Sequence, residues 1–136
     1  MNEPQITVLM TVYNGGEYLP LAIESVLRQS FRDLELLIIN DCSTDGTEKT
    51  IKSYQDSRIT LYSNEKNLGQ TGSLNLGLKL AKGKYVARMD ADDYAFPEWL
   101  KDQLAFAEEH SDCAVVSVKA AVIDGSNRIT KVLNSP

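Results

Sequence analysis

Leu34-Glu35-Leu36-Leu37-Ile38-Ile39-Asn40 runs straight into Asp41-Cys42-Ser43-Thr44-Asp45-Gly46-Thr47, and the junction of these two stretches decides the fold. From Leu34 to Ile39 the first stretch is apolar except for Glu35 and shows no alternation. That is the pattern of a strand buried on both faces, as in a parallel sheet with helices above and below it. The second is turn and helix-cap chemistry, with Ser43 or Thr44 placed to cap a polar helix reaching to about Gln55. A buried strand that feeds a helix through a short polar turn is the unit of an α/β fold.

The same unit recurs on either side. Upstream, Ile6–Val12 is a short β-rich run, and Leu19–Ser30 follows at helical spacing with Leu19, Ile23, Val26 and Leu27 on one face. Pro20 falls near the first turn, where proline is tolerated. Downstream, Ile59–Ser63 reads as a third strand, Asn64–Gly69 as a polar loop and Thr71–Ala81 as a helix ended by Lys82-Gly83-Lys84. Tyr85–Met89 reads as a fourth strand, and Pro97 opens a helix to about His110. Ala114–Lys119 is expected as a fifth strand, with Asp124-Gly125 as a turn and Ile129–Leu133 as a sixth strand able to pair with the fifth. Such short connections imply a mostly parallel sheet covered on both faces. With no repeat, low-complexity tract or linker, residues 1–136 are expected to form a single domain.

Composition narrows the function. The chain has 136 residues, 43% hydrophobic and 24% charged, with a formal net charge of −5. A domain this long buries roughly two-thirds of its unfolded surface without disulfides or metals to staple it. The acidic balance argues against a protein built to grip nucleic acid. No apolar run approaches the ~18–20 residues of a membrane span. Met1-Asn2-Glu3-Pro4 lacks the basic-then-apolar pattern of a signal peptide, so the expectation is a cytoplasmic chain. Cys42 and Cys113 have no paired spacing, and each reads as a reduced, buried thiol. His110 stands alone as a surface histidine, which removes most triads and zinc sites, and no phosphate-cradling glycine motif is present.

Open parallel sheets bind ligands beyond the carboxyl ends of their strands. There the first strand runs into Thr11, Tyr13 and Asn14, the second into Asn40 and Asp41, the third into Asn64 and Asn67, and the fourth into Asp90, Asp92 and Asp93. In Asp90-Ala91-Asp92-Asp93, carboxylates one residue apart just past a buried strand suit Mg²⁺ or Mn²⁺, whose remaining ligands would be water or substrate phosphate. The plainer reading is a helix cap ahead of Pro97. Asp41-x-Ser43-x-Asp45-Gly46 starts like a calcium loop but has Lys52 where the bidentate glutamate belongs, so that reading fails. Asp41 is the better ligand candidate, able to accept a base N–H. Tyr13 is placed to stack on a nucleobase. A phospho-acceptor receiver domain has similar size and class, but its acidic pair would stand where Tyr13-Asn14 does.

Taken in order, Leu9–Asn14, Ser25–Phe31, Ile38–Thr47, Asn67-Leu68-Gly69, Asn75-Leu76-Gly77 and Ala81–Asp93 with Pro97 resemble the N-terminal part of the family 2 glycosyltransferases, which have the GT-A fold. The resemblance implies a Rossmann-like, mostly parallel sheet flanked by helices and truncated on its C-terminal side. It implies a nucleoside-diphosphate-sugar donor, with uracil the usual base. Thr11, Tyr13 and Asp41 match the base-holding positions, and Asn14 lies beside them. Asp90 matches the residue near ribose and diphosphate, and Asp92, with Asp90, the holder of a divalent cation (Mn²⁺ or Mg²⁺). Arg88 and Asn67 match supporting positions. Thr11, Asn40, Cys42 and Leu74 stand where proline, aspartate, glycine and, in some members, arginine are commoner. The implied reaction is inverting transfer to an acceptor hydroxyl on a saccharide, a lipid-linked sugar or another molecule. The general base is expected beyond Pro136, so that this piece binds donor without turnover. Membrane association would come only through parts outside this chain, at the cytoplasmic face. The alternative is an inactive nucleotide-binding or scaffold domain.

Overall fold

The computed structural model describes residues 3–126 and 128–133. Met1, Asn2 and Asn134–Pro136, on which the expectations about the two ends of the chain fall, lie outside the described residues. The chain divides into two compact units, Met1–Glu98 and Trp99–Pro136.

The first unit holds β1 (Ile6–Val12), α1 (Leu19–Leu27), β2 (Leu34–Asn40), α2 (Thr47–Lys52), β3 (Ile59–Ser63), α3 (Gly69–Leu80) and β4 (Tyr85–Asp90). The four strands form one sheet in the order β3-β2-β1-β4, and all three pairings are parallel. Every residue of β2 is buried, as its unbroken apolar run requires.

Two faces alternate along each strand. Leu9, Leu37 and Ile39 point to one face, where Leu74, Leu76 and Ala81 pack on them. That packing is close, because a Cβ on Gly77 of α3 would stand 2.2 Å from Leu9 Cδ1. The opposite face carries Val8, Met10, Val12, Leu36 and Ile38, all buried. A Cβ on Gly15 would meet Val12 and Leu19, which puts the start of α1 on that side. Since α3 packs on β1 and β2, the same face of β4 stays open, and Val86 and Arg88 are exposed. The parallel sheet is thus flanked by helices, with α3 packed on the central strands β1 and β2.

At the amino-terminal end of the sheet a buried polar clasp replaces apolar packing. Thr7 Oγ1 donates to Glu35 Oε1 at 2.6 Å, which also accepts Lys82 N–H, while Gly83 N–H donates to Thr7 Oγ1. Glu35, the one interruption in the β2 run, therefore joins β1, β2 and the α3–β4 turn.

The second unit comprises α4 (Trp99–Glu109) and a hairpin of β5 (Ala120–Ile123) and β6 (Ile129–Leu133). Asp124 builds the turn by accepting the N–H groups of Ser126 and Arg128. The expected strand at Ala114–Lys119 is absent; β5 starts at Ala120 instead. Hairpin register counts outward from the turn, so Ile123 faces Ile129 and Ala120 faces Leu133, and the run before Ala120 lies past the described end of its partner. Both cysteines are free, as expected, but neither is buried. Cys42 is only partly buried and Cys113 is exposed, because both stand on turns outside the core. His110 is exposed, stacked on Phe106 at 4.1 Å between ring centroids.

Candidate functional site

In the order β3-β2-β1-β4 the connections leave β1 in opposite lateral directions, toward β2 and later toward β4. The crevice at the carboxyl ends of β1 and β4 is therefore the topological switch point, where an open α/β sheet binds its ligand. The register places Thr11 beside Asp90 across that crevice.

The loop after β1 is stitched to the loop after β2. Asn14 N–H donates to Ser43 Oγ at 3.0 Å, Thr44 N–H to Asn14 Oδ1 at 2.9 Å, and Gly15 N–H to Thr47 Oγ1 at 2.8 Å. Ser43 and Thr44 thus hold Asn14 and do not cap α2; the Asp45 carboxylate accepts the Thr47 N–H at the start of that helix. Asn14 and Cys42, at φ of 52° and 64°, take the left-handed conformation, one in each stitched loop. Non-glycine residues in that region carry local strain, which gathers at functional sites. Tyr13, the first residue past β1 and next to Asn14, has 54% of its surface exposed.

Asp41 forms the floor beside Tyr13, only 3% exposed. Its Oδ1 accepts Asn64 Nδ2 and Leu68 N–H, each at 2.7 Å, and its carbonyl accepts Asn67 Nδ2 at 3.2 Å. Burial pushes the Asp41 carboxyl upward, but hydrogen bonds from Leu68, Asn64, Ser73 and Gly69 together outweigh it and hold the group below its ordinary value. It is a fixed, ionised acceptor.

Across the crevice, Arg88 and Asp90 share the open face of β4. Arg88 Nη2 lies 2.8 and 3.1 Å from the two carboxylate oxygens of Asp90. Asp93 N–H donates to Asp90 O at 3.2 Å, closing a turn with Asp92 exposed at its corner. Burial, followed by the like charges of Asp90 and Asp92, raises the Asp93 carboxyl, and Arg88 opposes this. No group of three or more His, Cys, Asp or Glu side chains among the described residues forms a metal cage. What the turn offers is an incomplete, oxygen-only donor set whose members repel one another. That fits a hard divalent cation completing its shell with water and ligand phosphate, and does not fit a closed structural site.

The fold thus brings Thr11 to Asp90, Arg88 to Asp90 and Asn67 to Asp41, and leaves Tyr13 and Asp92 exposed on the two sides. The positioning residues are the part that local pattern does not reveal. Asn64 and Ser73 hold Asp41, and Ser43 and Thr44 hold Asn14. Ser25 Oγ and Gln29 Nε2, both on buried side chains, pin the segment after the carboxylates by bonding Ala95 N–H and Phe96 O. Only the polar character of Asn64 at a strand's carboxyl end hinted at a role.

Residues 7–134 match the sequence profile of Glycosyl transferase family 2. The chain belongs to that family. Over 131 residues it is 33% identical to the UDP-Glc:alpha-D-GlcNAc-diphosphoundecaprenol beta-1,3-glucosyltransferase WfaP of Escherichia coli, covering 96% of this chain and 51% of the relative. Among solved structures it is similar to residues 1–349 of TarS from S. aureus in complex with UDP-GlcNAc. There the TM-score is 0.72 and the identity 32%, over 79% of this chain and 32% of that 1–349 chain. It is also similar to the mannosyltransferase PcManGT of Pyrobaculum calidifontis in complex with GDP-Man and Mn²⁺. That match has a TM-score of 0.67 at 25% identity, over 91% of this chain and 37% of the other. The chain therefore spans about half or less of the length of these proteins. The family and the GT-A architecture of its sheet agree with the motif resemblance. Among the described residues no helix is long and apolar enough to cross a membrane.

Proposed function

We propose that this chain supplies the donor-binding part of an inverting, metal-dependent glycosyltransferase that uses a nucleoside-diphosphate sugar, with uridine as the nucleoside. The observation that carries the reading is the pairing, at one switch-point crevice, of an exposed aromatic and a buried ionised acceptor on one side with exposed carboxylates on the other. Tyr13 stacks on the base, Asp41 accepts its imide N–H, and Thr11 lines the crevice between them and Asp90. Asn14 and Asn67 brace the two loops. Asp92 and Asp90 hold Mn²⁺ or Mg²⁺, which when bound neutralises the departing diphosphate. Arg88 keeps Asp90 oriented and reduces the repulsion among the three carboxylates.

In the reaction the acceptor hydroxyl attacks the anomeric carbon as the bond to the diphosphate oxygen breaks, with inversion, and a base removes the hydroxyl proton. We assign no residue of this chain to that base. The complexes of TarS with UDP-GlcNAc and of PcManGT with GDP-Man and Mn²⁺ support the donor class and the cation, and the WfaP relative supports a saccharide on a lipid carrier as acceptor.

Calorimetric titration with UDP, GDP, dTDP and CDP, each with and without Mn²⁺, tests the reading. UDP is expected to bind, at least about tenfold more tightly with Mn²⁺, a difference of about 1.4 kcal/mol. Tyr13→Ala is expected to weaken it by a similar factor. Binding of no nucleotide, or equal binding of UDP and CDP, would overturn it.

A further inference from the structure

We propose that Asn64, backed by Ser73, is the positioning residue that fixes Asp41 as an oriented anion and so makes the site select a base that presents an N–H over one that presents a bare nitrogen. The proposal rests on the donor-site reading above and names a residue that the motif resemblance does not assign.

Asn64 is the first residue past β3, 8% exposed, and its backbone N–H continues the sheet pairing by donating to Asn40 O at 2.9 Å. Its amide nitrogen gives one bond to Asp41 Oδ1 at 2.7 Å and one to Ser73 Oγ at 2.9 Å. Ser73, on the first turns of α3, is fully buried. Asn64 Oδ1 is buried with no hydrogen-bond partner in the protein. Turning the amide over would set its oxygen against Asp41 Oδ1, acceptor against acceptor. The orphaned carbonyl is thus the consequence of aiming the N–H groups at the carboxylate, and a buried polar atom left unpaired calls for such a compensating reason. The bond from Leu68 N–H at 2.7 Å falls on the same oxygen. Two short, charge-assisted bonds from the β3–α3 segment leave that carboxylate little freedom to rotate or to take up a proton. An anion of fixed direction attracts a uracil-type imide N–H and repels the unprotonated ring nitrogen of cytosine at the equivalent position. Asn64, buried behind Asp41, acts through it without reaching a ligand.

The test measures UDP and CDP dissociation constants, with Mn²⁺ present, for the wild-type protein, Asn64→Ala, Asp41→Asn and the double variant. A ¹³C NMR titration of the Asp41 carboxyl accompanies them. We expect Asn64→Ala to weaken UDP about tenfold, leave CDP within about twofold and move the Asp41 titration upward. We expect it to add less than about twofold once Asp41 is already asparagine. Ser73→Ala, a smaller lesion, should move UDP and the Asp41 titration in the same direction and less far, which guards against an Asn64 variant that does not fold. Equal weakening of UDP and CDP, full additivity in the double variant, or an unmoved Asp41 titration in both variants would overturn the role of Asn64. Asp41→Asn leaving UDP binding unchanged would instead overturn the base-site reading, and the selectivity role with it.

Discussion

Replacing Gly77 by alanine sets two known effects against each other. Glycine inside a helix is about 1 kcal/mol worse than alanine, so α3 alone would gain by about that amount. In the folded chain, however, the new Cβ would lie 2.2 Å from Leu9 Cδ1, 2.9 Å from Cδ2 and 3.1 Å from Cγ. Leu9 is 1% exposed and wedged with Leu37 and Ile39 beneath Leu74 and Leu76, so it has nowhere to retreat. With three Leu9 atoms in the way, Leu9 must leave its rotamer, at about 0.5–1.5 kcal/mol, and α3 must also shift off the sheet, at about 1–3 kcal/mol for an overpacked core. Together these exceed the helical gain, and the net expectation is a loss of about 1–2 kcal/mol, roughly 3–8 °C in melting temperature. Urea unfolding followed by circular dichroism measures it. The Leu9→Ala background isolates the cause: without the Leu9 methyls, Gly77→Ala should become stabilising by about 1 kcal/mol. Because Leu68 and Gly69 at the start of α3 bond Asp41, the single variant should also weaken UDP. A Gly77→Ala protein more stable than wild type, or the same sign of effect in both backgrounds, would refute the close-packing argument.

Acid should weaken the fold in a definable window. Asp41, despite its burial, and Asp56, bonded and ion-paired to Arg58 at 2.8 Å, are both held below their ordinary values. Their stabilisation is therefore complete above the unfolded carboxylate range, about pH 4, and is lost as pH falls through the lowered folded values. Urea midpoints between pH 6 and pH 2.5 should drop, and Asp56→Asn should flatten part of the slope; an unchanged slope would show the pair contributes nothing. Cys42, at φ 64°, should tolerate glycine within about 0.5 kcal/mol, because relief of left-handed strain offsets the added unfolded-state entropy. Valine there, β-branched, should cost about 1–2 kcal/mol, and a neutral valine variant would contradict that backbone geometry.

What could be read from the chain follows from how local each determinant is. The solid run Leu34–Asn40 and the shorter runs at Ile6, Ile59 and Tyr85 became the four parallel strands because burial on a sheet leaves a mark within a few residues. The end of α1 was less legible. The helix stops at Leu27, short of Ser30, where Gln29 turns its amide to Ser25 O and to Phe96 O, a partner far along the chain. Ala114–Lys119 has strand-like composition, but composition does not reveal which residues a turn at Asp124 brings opposite Ile129–Leu133. At the site, Tyr13, Asp41, Asp90 and Asp92 were visible from their places at strand ends. Ser43 and Thr44 have the chemistry of helix caps and satisfy it with Asn14, about thirty residues earlier, which no local pattern encodes. Asn64 and Ser73 were hidden for the same reason.

Thermal unfolding of wild type and Asp92→Ala, with UDP and Mn²⁺ separately and together, tests the central claim most directly. Ligand at ~100 times its dissociation constant stabilises by roughly 2.7 kcal/mol, a rise of several degrees. That rise is expected for wild type with UDP and Mn²⁺ together, a small one with UDP alone, and none beyond the UDP-only value in Asp92→Ala, where loss of an exposed carboxylate leaves the unliganded melting temperature unchanged. A shift of equal size in Asp92→Ala, or one indifferent to Mn²⁺, would contradict the assignment of the β1–β4 crevice as a joint nucleotide and metal site.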